Sequence, residues 1–109
     1  MKQIIAVIKP NMLDDVIFAL HKIAGFPGGT VADVAQIGTG HDAGKLHAGF
    51  DLPEAKRLEI ICDDPLVEDI VQTIAREAHT GLSGDGHVAV SPINNAVDIG
   101  CFKPPSSSR

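Results

Sequence analysis

Residues Ile4 to Ile8 form an unbroken apolar run, flanked by Gln3 and Lys9 and stopped by Pro10, which predicts a strand over Lys2–Lys9. Beyond the proline the period changes. Leu13, Val16, Ile17, Leu20 and Ala24 recur at helical spacing. Asn11 is suited to cap that helix, Asp14 and Asp15 suit the positive end of its dipole, and Gly25 suits its end. After the turn Gly25-Phe26-Pro27-Gly28-Gly29, the segment Thr30–Ile37 alternates as a second strand. From Gly38 to Glu54 the apolar period disappears, and glycines and a proline interrupt the chain, so a long exposed loop is expected. Loops of that length in small domains are usually functional or mobile.

Periodicity returns at Arg57–Cys62, which reads as a third strand. Asp63-Asp64-Pro65 then opens a second helix, with Asp64 as its N-cap and Pro65 in its first turn. Val67, Ile70, Val71, Ile74 and Ala78 mark its apolar stripe and Gly81 its end. A Gly/Ser/Asp turn leads into a fourth strand, His87–Ser91. The stretch Pro92–Ile99 is short and irregular, and the Pro/Ser composition of residues 101–109 predicts a disordered tail.

The resulting order, β-α-β, loop, β-α-β, predicts one α+β domain of ferredoxin-like βαββαβ topology over residues 1–100, with both helices on one face of the sheet. The first strand is apolar on both faces, and a small monomer would leave one of them in water. Self-association through the sheets is therefore expected.

Composition narrows the possible functions. In 109 residues, nine Lys and Arg stand against fourteen Asp and Glu, a formal charge of −5, and there is no Trp and no Tyr. Nucleic-acid binding needs a basic face or stacking aromatics, and this chain is poor in both. Two cysteines, Cys62 and Cys101, are too few for a disulfide scaffold. No apolar run reaches the roughly 18 residues of a membrane span, and no leader-like segment precedes the first strand, so a cytoplasmic protein without membrane insertion is expected.

Candidate chemistry gathers in two places. In Thr80-Gly81-Leu82-Ser83-Gly84-Asp85-Gly86-His87, successive amides could converge on a phosphate, as glycine-rich nests do. The same residues also suit a plain helix-to-strand turn. In the long loop, His41, Asp42 and His47, with Asp51 further on, could ligate a divalent metal, although a polar loop also collects such residues by composition. His21 and His79 read as helix-surface residues, Glu59 as an ion-pair or interface carboxylate, and Cys62 as packed and inert. No nucleophile elbow of the form Gly-x-Ser-x-Gly is present, and nothing else supports catalysis.

These pieces resemble the P-II signal-transduction family. Met1–Leu20 is similar to its opening, with Ile8-Lys9-Pro10 before a helix carrying Leu13-Asp14-Asp15-Val16. Gly28-Gly29-Thr30-Val31 is similar to its entry into the second strand, and residues 80–88 resemble its phosphate-binding B-loop. The resemblance implies a non-enzymatic homotrimer that takes an adenine nucleotide in clefts between subunits. It also implies that a T-loop, here Gly38–Glu54, regulates a membrane transporter or regulatory protein. By position, the nucleotide contacts it implies are Val7, Thr30, Gln36, Gly38, Thr39, Ile61, Thr80, Gly84, Asp85, Gly86 and His87.

Departures from the family pattern are specific. Gln36-Ile37-Gly38-Thr39-Gly40 stands where the family has Gly-Phe-Gly-Arg-Gln, His87 replaces a lysine, and Asp98 and Gly100 fall where two arginines are usual. With those cations and the magnesium-ligating glutamine gone, AMP or ADP is favoured over ATP. The loop is shortened, and a chain without Tyr cannot carry the family's uridylylation site. Family members with such a shortened pattern accompany bicarbonate transport or heavy-metal efflux, so the implied alternative is a metal-binding module using His41 and His47.

Overall fold

A computed structural model describes residues 1–38 and 52–104. The elements run β1 (Lys2–Ile8), a 3-10 turn (Pro10–Met12), α1 (Leu13–Leu20), β2 (Thr30–Ala35), β3 (Glu54–Cys62), α2 (Asp64–Ala78), β4 (Gly86–Pro92) and a second 3-10 turn (Ile99–Cys101). The sheet is fully antiparallel in the order β2-β3-β1-β4, the ferredoxin-like arrangement expected. β1 lies at the centre. Ile4 faces Ile60 of β3 on one side and Val90 of β4 on the other.

The core follows from strand alternation. Ile4, Ala6 and Ile8 of β1 and Leu58, Ile60 and Cys62 of β3 are buried in one cluster with Val16 and Leu20 of α1 and Ile70, Ile74 and Ala78 of α2. Each such Ile or Leu contributes about 1.5–3 kcal/mol by leaving water. The opposite face is thinly covered: Ile5 and Val7 are half-buried, and Ile61 is 44% exposed. Both edge strands, β2 and β4, are mostly exposed as well.

Several boundaries differ from the sequence expectation. α1 ends at Leu20, because the amides of Lys22 and Ile23 bond the carbonyls three residues back, at Ala19 and Leu20. That tighter winding carries Ile23 onto the core but leaves Ala24 exposed, outside the apolar stripe. Asn11 lies within the first 3-10 turn, whose N-cap is Lys9, and caps nothing. The N-cap of α2 is Asp63, so Asp64 is already helical. Asp64 instead accepts from the Met1 ammonium at 2.8 Å, with Lys2 at 3.7 Å, and these cations hold its carboxyl below the usual range. α2 closes at Ala78, three residues before Gly81. β2 is shorter than Thr30–Ile37, β3 starts at Glu54 rather than Arg57, and β4 runs from Gly86 to Pro92. Glu54 and Gly86, expected in the loop and the turn, therefore belong to strands. Cys101 closes the second 3-10 turn.

Candidate functional site

The loop between α2 and β4 is organised by one carboxylate. Beyond Ala78 the backbone becomes extended at His79 and reverses through Gly81 and Gly84, both in the left-handed region. Asp85 then reaches back across the loop. Its Oδ2 accepts from the Thr80 amide at 2.8 Å and the Gly81 amide at 3.3 Å, and its Oδ1 accepts from the Thr80 hydroxyl. The Leu82 amide donates in turn to Thr80 Oγ1 at 3.1 Å. The Thr80 hydroxyl and amide are the main reasons that the Asp85 carboxyl sits far below the usual carboxylate range, with Lys9 and Gly81 adding to them.

Lys9 comes from the end of β1. Ile8, the last residue of β1, is the ladder partner of Gly86, the first of β4, so Lys9 just past β1 meets Asp85 just before β4. Lys9 Nζ lies 3.2 Å from Asp85 Oδ1 and donates to Thr80 Oγ1 at 3.4 Å. His79 Nδ1 is 3.5 Å from Asp85 Oδ2, on a side chain that is largely exposed. Gly86 permits the close approach of the two strands. Its φ is +108°, and a Cβ there would come within 1.7 Å of the Val7 carbonyl oxygen.

Ser83 and Gly84 form a turn that the Asp85 amide closes on the Leu82 carbonyl. The amides of Ser83 and Gly84 bond no acceptor among the described residues. Two consecutive unpaired amides beside a left-handed glycine form a small donor set suited to an anion. The loop is thus both a turn and a candidate anion cradle.

The remaining nucleotide candidates fall into two groups on the chain. Val7 and His87 are ladder partners, so they stand beside Thr80, Gly84, Asp85 and Gly86 toward the β4 edge. Thr30, Gln36, Gly38 and Ile61 lie on β2, β3 and the chain just after β2. Thr30 is opposite Glu59, and the Gln36 amide donates to the Pro53 carbonyl at 2.8 Å. The first group thus lies on β1, β4 and the loop before β4, and the second on β2, β3 and the chain after β2. Thr39 and the metal candidates His41, Asp42 and His47, with Asp51, lie outside the described residues. Among the described residues no three His, Cys, Asp or Glu side chains converge as metal ligands would.

Sequence reasoning missed Lys9 and the polar cluster on the open sheet face. There Gln3 Nε2 donates to Glu59 at 3.1 Å, and Arg57 donates to the other Glu59 oxygen at 2.8 Å. Glu59 is thus in an ion pair, one of the two roles expected for it. The available signal was pairing: once β1 is set beside β3, positions 3 and 59 become diagonal neighbours on one face. Cys62 is buried as expected, and burial with Asp63 nearby pushes its thiol pKa up, away from reactivity.

A family model described as nitrogen regulatory protein P-II matches residues 1–100. The chain is 38% identical over 104 residues to the nitrogen regulatory protein P-II of Azospirillum brasilense, covering 91% of each. The P-II protein of Bradyrhizobium diazoefficiens is 39% identical over the same length and coverage. For the nitrogen regulatory protein P-II 1 of Escherichia coli K12 the identity is 38%, again over 91% of both chains.

Proposed function

The chain belongs to the nitrogen regulatory P-II family of non-enzymatic signal transducers, and on that premise we propose that it senses an adenine nucleotide between subunits of a homotrimer. The observation that carries this reading is the pair of unpaired amides at Ser83 and Gly84. Backbone donors can hold an inner phosphate without a side-chain cation. Val7 and His87 extend that surface along the sheet. Thr30, Gln36, Gly38 and Ile61 lie toward the opposite edge, where they serve a site completed by the next copy. A cleft between copies is the arrangement that lets both groups touch one ligand.

The signal runs through residues 38–54 to a membrane transporter. Gln36 and Pro53, which bracket that segment, sit at the C-terminal end of β2 and the N-terminal end of β3. The candidate cradle enters β4 at the same end of the sheet. A ligand at the cradle and the start of the signalling loop therefore share one end of the sheet. Ordering of a loop by a bound ligand is a common switching mode.

AMP and ADP are the preferred ligands, because Asp98, Gly100 and His87 stand where cations would meet outer phosphates. Each lost charge-assisted hydrogen bond costs about 1.5–3 kcal/mol. Calorimetry with AMP, ADP and ATP, with and without magnesium, tests the reading. Binding of AMP or ADP that does not tighten with ATP is expected. Tight magnesium-dependent ATP binding would reverse the phosphate preference, and absence of binding by all three would remove the nucleotide reading.

A further inference from the structure

We propose that Lys9 is the cation of the phosphate cradle and sets how strongly this site responds to phosphate, an inference that rests on the nucleotide reading above. The two unpaired amides of Ser83 and Gly84 attract an anion, but directly beside them lies the Asp85 carboxylate, which repels one. Lys9 resolves that conflict. Its ammonium is 3.2 Å from Asp85 Oδ1 and 3.4 Å from Thr80 Oγ1. An ammonium has three protons, so these two partners leave one for an incoming oxygen. The stem of Lys9 also borders the turn: its Cε is 4.0 Å from the point a Gly84 Cβ would occupy.

Every other ion pair among the described lysines and arginines holds its cation elsewhere. Lys2 is with Asp64, Lys56 with Asp33, Arg57 with Glu59 and Arg76 with Glu77. Lys22 lies over the Phe18 ring, 4.4 Å from its centroid. At the loop itself the cation comes from Lys9, just past the end of β1, while position 87 within β4 carries a histidine.

Calorimetry on the full chain with adenosine, AMP and ADP provides the test, comparing the native protein with Lys9→Met, Lys9→Gln and Lys9→Arg. Native protein should bind AMP more tightly than adenosine. Lys9→Met should cut that AMP-over-adenosine gain by about tenfold or more, as loss of a charge-assisted bond implies, while adenosine affinity changes by less than about twofold. Lys9→Gln retains a donor for Asp85 and should lose the gain equally, and it replaces Lys9→Met if that variant does not fold. Lys9→Arg should keep most of the gain. Equal weakening of adenosine and AMP in the neutral variants would assign Lys9 a purely structural role and overturn the proposal. An undiminished AMP gain in those variants would overturn it as well. If the native protein binds none of the three compounds, the nucleotide reading itself fails, and this inference with it.

Discussion

The donors that converge on Asp85, chiefly the Thr80 hydroxyl and amide, favour its charged form in the folded chain. In the unfolded chain the same carboxyl titrates in the ordinary range near pH 4. A folded pKa below the unfolded one gives a stabilisation that is complete above that range and is lost as pH falls below it. Denaturant midpoints measured from pH 7 down to pH 3 should therefore fall on the acid side, and Asp85→Asn should flatten that acid limb. The variant should also be less stable than the native protein at neutral pH. Parallel acid limbs in the two proteins would mean that another carboxylate governs the loss; Asp64, held low by the Met1 ammonium, is the next candidate.

Among the elements, α2 packs against α1, β1 and β4, and its Ile70 and Ile74 are fully buried in the core. Ile70→Ala should cost about 2–5 kcal/mol in chemical denaturation, since both the apolar transfer and the residual cavity count. A loss well under that range would show that the helix relaxes into the space. The four strands and two helices were legible in the sequence because apolar periodicity survives tertiary context: the run Ile4–Ile8 and the stripe Ile70, Ile74, Ala78 are where they were expected, whereas neither 3-10 turn carries such a period. Boundaries were not legible where tertiary contacts decide them. The β3 residues before Leu58 carry charge at Glu54, Lys56 and Arg57, yet they pair with β2, and Lys56 meets Asp33 across the ladder. No local pattern signals that pairing. For the candidate site, the glycines, Thr80 and Asp85 were legible as a motif. Lys9 was hidden because its partner lies 76 residues away along the chain (85 − 9) and is brought close only by the β1–β4 ladder.

For the whole molecule, the question is what covers the second face of the sheet. Ile5, Val7 and Ile61 lie there around the Gln3–Glu59–Arg57 cluster, a mixed apolar and polar surface suited to a specific interface. Light scattering should give a mass near three times 11.4 kDa. Ile61→Asp, which places a new carboxylate near Glu59 on that face, should shift the mass toward that of a single chain. A trimer that persists unchanged in the variant would place the interface on another surface. Because the cleft reading needs two copies, the same substitution should weaken AMP binding in step with dissociation.

The strand order also bears on how fast the chain folds. β1 is the centre of the sheet, yet both of its neighbours are distant along the chain, for Lys2 pairs with Cys62 on one side and with Pro92 on the other. Ladders of that kind close large loops before their contacts repay the lost entropy, which slows folding. The helices, whose bonds are local, can form sooner. Stopped-flow refolding should therefore show a main phase of about milliseconds or slower. Ile4→Val in β1 should slow that phase if the central ladders form in the transition state, and an unchanged refolding rate with faster unfolding would show that they form after it.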